Sequence, residues 1–521
     1  MKFINYFIII LLIASSSCKK AIDLYPISNL NSETYYKTES EIRAGLAGCY
    51  NGLQKPMNLE WSLTELRSDV SKVGATGSQS SINLDYSSLD MYYPAPGNGG
   101  IYNYWLTTYN NIRNCNLILQ KLGVNYDPSA GTISLGKIDI AMTDSTRKSL
   151  AGQAMFIRGY HYFNLVRLFG GVFLIHTPIS AETAKTINRS TVADMYKLIL
   201  ADLETGSGYL SNKKFSAIAA LNIGDANQWA AKALLGKVYL TLNRKTDAIT
   251  QFNDVITNSG YSLQASYANV FSTTTEMNSE ILFTVRYKAG GLGLGSSFGN
   301  DFAALSSGSA IINGSGQGLN FPTNDVDSNF MLTTTPAVTF DSRRAINIAV
   351  FGTGTAAQLY ARKYLSPVVL TNDGESDWPV IRYADVLLML AEAQGFTPSS
   401  ITLINQIRTR SGLAVLPATV NSVATFEAAL NKERMLEFAF ENLRFFDILR
   451  FGTTLTTISA TSIMRAHFAR EYALHYNNYP LPRLSLAELQ ANVNANKLLL
   501  PIPQYEIDTN TQLVIPQNPG Y

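Results

Sequence analysis

Between Trp229 and Ile256 the chain reads WAAKALLGKVYLTLNRKTDAITQFNDVI. Leu235-Gly236-x2-Tyr239 is followed in register by Ala248-x3-Phe252, the spacing of a tetratricopeptide helical hairpin. The glycine lets two antiparallel helices approach, and the tyrosine fills the gap beside it. The alanine and phenylalanine face back from the second helix. One such hairpin cannot bury its own apolar face, so roughly three or more must stack. The segments near 41–66, 102–122 with 146–169, and 380–412 carry the helical spacing that partners need. The expected fold is therefore all-α dominated: a tetratricopeptide-like hairpin scaffold with long irregular loops and a few short strands.

Local signals fill in the rest. Ser40 is the expected cap of a helix over 41–53, and Thr191 starts another through Leu203. A long helix over 146–169 stops at Gly170-Gly171. VFLIHTPIS after it reads as extended chain, and SEILFTVRY (279–287) as a strand. Residues 68–100 and 124–145 read as polar loops, and 423–450 as one helix. From Ala289 to Asn324 only Asp301 is charged, and Gly, Ser, Ala and Asn dominate, which predicts a long loop, ordered or disordered. The end of the chain is Pro-rich and irregular.

The N-terminus constrains location. Lys2 is the only charge before an apolar run of about a dozen residues, shorter than the ~20 a spanning helix needs. A charged start, a short apolar stretch and then small residues describe a secretory signal. This one ends IASSSCKK, with Cys18 closing the run, as in a bacterial lipobox where the cysteine takes a lipid and becomes the new N-terminus. Ser15 stands where that pattern prefers leucine. The plainer alternative is an ordinary signal with a chance cysteine.

The formal net charge is +2, so there is no basic field for nucleic acid. Besides Cys18 only Cys49 and Cys115 remain; an exported protein could join them, but two cysteines are no disulfide framework. The four histidines, His161, His176, His467 and His475, form no ligand spacing, so no metal is assigned, and nothing requires a cofactor. AGGLGLGSSFG (289–299) lacks the register of a phosphate cradle.

Glu433, Glu437 and Glu441 recur every fourth residue, which predicts one helix face shared with Arg444. Two carboxylates one turn apart have roughly the 5 Å separation of a retaining glycosidase pair. Arg434, Arg444, Asp447 and Arg450 supply ion-pair partners for that face instead, with Leu436, Phe440, Leu443 and Phe446 as its buried stripe. No catalytic residue is assigned. Trp105, Trp229 and Trp378 sit on or beside periodic helices and read as core.

Several segments together resemble the SusD/RagB family of outer-membrane nutrient-binding lipoproteins. They are TELRSD (64–69), RGYHYFNLVRLFGGV (158–172), PVIRYADVLLMLAEAQ (379–394), INQIRTRSGL (404–413), ERMLEFAFENLRFFDILRFG (433–452), LLPIPQYEID (499–508) and the closing QNPGY. The resemblance divides the chain into a signal peptide at 1–17, a lipidated tether at 18–31, an N-terminal helical region at 32–275 and a C-terminal region with a loop-rich ligand face at 276–521. It implies a lipid anchor on Cys18 in the outer membrane, facing outside, although Lys19 and Lys20 stand where acidic residues are common and Asp23 is the nearest acid. It implies a SusC-like TonB-dependent barrel as partner and an oligosaccharide as cargo; relatives carry peptides. The expectation is a binding protein and not an enzyme.

A sugar presents an apolar face to aromatic rings and a polar rim to Asn, Asp or Arg, and such side chains belong on loops held by a scaffold. LDMYYPAPGNGG nominates Tyr92, Tyr93 and Asn98, and the resemblance places this loop on the binding face. Trp61 and Phe298 are the further candidates.

Overall fold

The structure is a computed structural model that describes residues 35–74, 83–333, 335, 337–478, 482–510 and 512–521. The signal at 1–17, Cys18 and the tether through 31 lie outside the described residues. The scaffold begins with α1 (Glu39–Asn51) and α2 (Gln54–Thr64), then α3 (Leu84–Asp90), α4 (Gly99–Lys121), α5 (Asp144–Phe169) and α6 (Val192–Tyr209). It continues with α7 (Gln228–Thr241), α8 (Lys245–Asn258), α9 (Tyr383–Gln394) and α10 (Pro398–Arg410). From α4 to α10 each of the seven helices packs on the next, so three hairpins and one further helix stack in sequence order. The segment at 41–66 departs from this pattern: α1 and α2 both lie against α4.

The tetratricopeptide mechanics hold in detail. A Cβ on Gly236 would come 2.4 Å from Phe252 Cε1, a clash that only glycine avoids. Ala248 and Phe252 are fully buried. Tyr239 fills the adjoining space, and its hydroxyl donates to Glu204 at 2.6 Å.

Several local expectations change. α1 starts at Thr38 rather than Ser40, because Thr38 and Glu41 form a reciprocal capping box that Ser40 lacks the spacing to make. The segment 124–145 contains an antiparallel hairpin, β1 (Val124–Asp127) with β2 (Thr132–Leu135), turned at Gly131 with φ 68°. VFLIHTPIS is extended chain as expected, outside any sheet: the Tyr162 hydroxyl both donates to Ile175 O and accepts from Ile175 N in place of a neighbouring strand. The expected helix over 423–450 is two helices, α11 (Val423–Glu437) and α12 (Arg444–Thr454). Phe440 and Asn442 between them have φ of 64° and 60°, which helix cannot accommodate.

β3 (Ile281–Val285), within SEILFTVRY, pairs antiparallel with β4 (Trp378–Arg382), and α8 packs on α9. One apolar core therefore runs from Ile42 to Ile515, across the boundary expected at 275–276. Trp105, Trp229 and Trp378 are all buried in it. The segment 289–324 is irregular but anchored. Its short helix Phe298–Phe302 places both phenylalanines against Trp378, with ring centroids 4.5 and 6.4 Å away. Tyr364 stacks on the same indole at 4.2 Å.

Candidate functional site

The loop face lies where α3, the turn after it and the segment 289–324 come together over α2. Four of the five nominated residues support this face from below and do not line it. Tyr92 is fully buried, with its hydroxyl donating to Arg67 O and the Arg67 guanidinium 5.3 Å above its ring. Asn98 is the cap of α4: its side chain accepts from Ile101 N at 3.0 Å and donates to Asp85 O at 3.0 Å. Trp61 lies between Tyr86, 5.1 Å away, and Phe302, 5.6 Å away. Phe298 is enclosed by Trp378, Tyr364 and Tyr287. With every ring face and amide already engaged inside the fold, none of the four presents a surface to a ligand. Tyr93 is the exception, half-buried at the edge of the loop.

Three residues missing from the nominated set do reach this face. Tyr86 on α3 covers the Trp61 indole and is only partly buried. Burial first, then the carboxylates of Asp301 and Asp85, push its hydroxyl up, so the three groups stand within electrostatic reach. Burial also pushes the Asp301 carboxyl up to about 6, against a 2.5 Å hydrogen bond from Ser297 Oγ. Asp85 is tied by one oxygen to Gly99 N at 2.9 Å. An aromatic face beside two carboxylates suits a ligand with an apolar ring face and hydroxyl donors. Asp301, the single charge in a long neutral segment, was the signal in the sequence.

A separate cleft of about 490 Å³ opens between the α1–α2 junction, residues 220–225 and the end of β3. Tyr50, Gln54, Leu221, Asp225, Thr284 and Leu294 line it. Gln54 braces the wall by donating to Arg286 O at 2.7 Å and Leu294 O at 3.2 Å.

Glu433, Glu437 and Glu441 do not form one helix face, since α11 ends at Glu437. All three are buried in an ionic cluster instead. Glu437 accepts from Arg343 (2.9 Å), Arg382 (3.1 Å) and Arg410 (2.5 Å). Glu433 accepts from Arg343 and Arg408, and Glu441 from Arg382 and Lys363. Burial alone would raise the Glu437 carboxyl; Arg410, Arg382 and Arg343 outweigh it and hold it well below the usual carboxylate range. The expected partners pair elsewhere: Arg434 and Arg450 with Asp447, and Arg444 with Asp69. The glutamates therefore act as anions that lock arginines in place. Leu436, Phe440 and Phe446 are buried as expected, and Leu443 is partly so.

Among the described residues no group of three or more His, Cys, Asp or Glu side chains is placed to hold a metal ion. His161 is buried, and burial lowers it to about 3, so it stays neutral. No described helix is long and apolar enough to cross a membrane.

Comparison with known proteins places this architecture. Residues 22–240 match a family described as starch-binding associating with outer membrane, and residues 333–521 match the SusD family. SusD-like protein P2 of Formosa agariphila is 24% identical over 98% of this chain and 98% of its own length. A laminarin-binding SusD-like protein of known structure superposes with a TM-score of 0.70 at 22% identity, covering 93% of this chain and all of its own. Surface glycan-binding protein A from Bacteroides thetaiotaomicron, solved with laminarihexaose, gives 0.68 at 18% identity, covering 92% of this chain and 99% of its own. With one family match on each half, the chain belongs to the SusD/RagB family.

Proposed function

We propose that this protein captures an oligosaccharide at the cell surface and passes it to an outer-membrane transporter without altering it. The observation that carries the reading is the likeness, over nearly the whole chain, to proteins named for binding laminarin and laminarihexaose. The loop face supplies matching chemistry. Tyr93 and Tyr86 offer ring faces, and Asp301 and Asp85 accept from hydroxyls. Glucose polymers of the laminarin type are therefore the first cargo to test.

Cys18 carries the lipid in this reading, the tether runs through residue 31, and the chain faces outward. A SusC-like TonB-dependent barrel is the partner over which it sits. The catalytic alternative would need a free carboxylate pair in a cleft, and Glu433, Glu437 and Glu441 are committed to arginine and lysine inside the core.

Affinity gels test the cargo. Retardation of the full chain in gels containing laminarin, with no retention on a peptide pool, supports the reading; retention on peptides alone reassigns the cargo. Fractionation tests the anchor: Cys18→Ser leaves the membrane fraction, and its unchanged membrane association would refute the lipid attachment. Co-purification of a barrel with the wild-type chain supports the partner.

A further inference from the structure

Cys49 and Cys115 meet across the seam between α1 and α4. Two close approaches fix the register. A Cβ on Gly45 would lie 2.5 Å from Ile118 Cδ1, and a Cβ on Gly52 would lie 2.1 Å from Asn111 Oδ1. Residue numbers rise along α1 as they fall along α4, so the helices run antiparallel. Cys49 and Cys115 fall between these two points, on the shared seam. The Asn111 amide donates to Cys49 O at 2.9 Å, one turn from Cys115. The Cys49 thiol stands close enough to add to burial in pushing the Cys115 thiol up, and both residues are fully buried. Glycine on each side of Cys49 brings the backbones close enough for side chains this short to touch.

We propose that the exported protein joins these two thiols in a Cys49–Cys115 disulfide, stapling the first helix after the lipid tether to the scaffold. The inference rests on the reading that the chain is exported, because disulfides persist in oxidising compartments. It also gives the staple a purpose. Any pull between the membrane anchor and the body of the protein arrives first at α1, and α1 has no hairpin partner of its own.

The chemistry is ordinary exchange with an extracytoplasmic thiol–disulfide oxidase. One cysteine, as thiolate, attacks the oxidase disulfide and forms a mixed disulfide; the second cysteine displaces the oxidase sulfur. Two S–H bonds are replaced by one S–S bond. Two electrons and two protons pass to the oxidase, whose disulfide becomes a dithiol. Burial pushes the Cys115 thiol well up, so it is inert once the core has closed. The bond therefore forms as α1 docks, and afterwards it resists reductants that do not unfold the chain.

Peptide mapping of the wild-type full chain tests this. The protein is isolated from membranes of the native cells, denatured in iodoacetamide without reductant, and digested. The expected result is a linked pair of peptides carrying Cys49 and Cys115, with neither alkylated, and release of two alkylatable thiols after reduction. Alkylation of both residues before reduction overturns the proposal. The same map reports on Cys18 separately. A lipid-modified Cys18 with free Cys49 and Cys115 sinks the disulfide and leaves the anchor standing. A free, alkylated Cys18 beside a linked pair does the reverse.

Discussion

Glu437→Gln separates a structural glutamate from a catalytic one. The wild-type carboxylate accepts from three arginines with no exposure to water. Glutamine keeps the shape and removes the charge, leaving Arg343, Arg382 and Arg410 to share Asp341, Glu433, Glu280 and Glu441. Removing one partner of a buried ion pair costs about 3–5 kcal/mol. A chain of 521 residues unfolding as one unit has an unfolding entropy of about 1 kcal/mol/K, so the expected fall in Tm is about 3–5 °C. The sign with pH follows from the depressed carboxyl. Its contribution is complete above the unfolded value of about 4.3 and is lost as pH falls below it, so the two Tm curves converge in acid. Differential scanning calorimetry between neutral and acidic pH measures both effects. A Tm within about 1 °C of wild type at neutral pH would refute the reasoning, because a desolvated charge cluster cannot lose its centre at no cost. Loss of polysaccharide cleavage with unchanged Tm would restore the catalytic alternative.

Three more outcomes follow from the same geometry. Phe252→Ala empties the space beside Gly236 in the hairpin and is expected to destabilise by about 3–5 kcal/mol in urea unfolding, whereas a surface substitution on α8 does little. Tyr92→Ala and Tyr93→Ala part company: the first lowers Tm by several degrees, because the buried ring is lost, Arg67 keeps only Phe445 beside it and no hydroxyl reaches its carbonyl, while the second leaves Tm alone and weakens ligand binding in calorimetry. Equal effects on binding would return Tyr92 to the ligand face. Asp301, raised to about 6, gives glycan affinity that increases as pH rises through that value, and Asp301→Asn abolishes the step. The same shift means the ionised form costs stability, so Asp301→Asn also raises Tm above about pH 6; a wild-type affinity that is flat with pH would remove Asp301 from the site.

The scaffold was legible wherever a residue's role depends on near neighbours along a helix. Gly236, Ala248 and Phe252 announce their hairpin because each sits at a fixed helical offset from the next. The loops were opaque for the opposite reason. Tyr92 and Tyr93 are adjacent and chemically identical, yet a φ of 61° at Tyr92 turns its ring beneath Arg67 and leaves its neighbour outside. Nothing local distinguishes them. The glutamate series misled through periodicity: the four-residue spacing continues past Glu437, but Phe440 and Asn442 break the helix with left-handed backbone. Their partners, Arg343, Arg382 and Arg410, are drawn from distant segments. The extended VFLIHTPIS lacks a strand partner because one tyrosine hydroxyl substitutes for it, an interaction invisible to pattern reading.

The central claim is capture without chemistry, and one titration addresses it. The full chain in detergent is titrated with laminarihexaose by calorimetry, and the cell contents are then assayed for new reducing ends. Saturable heat, weakened by Tyr93→Ala, with hexaose recovered intact, is the predicted result. Shortened oligosaccharides would contradict the account, and so would the absence of binding to laminarihexaose and every other glycan in a panel.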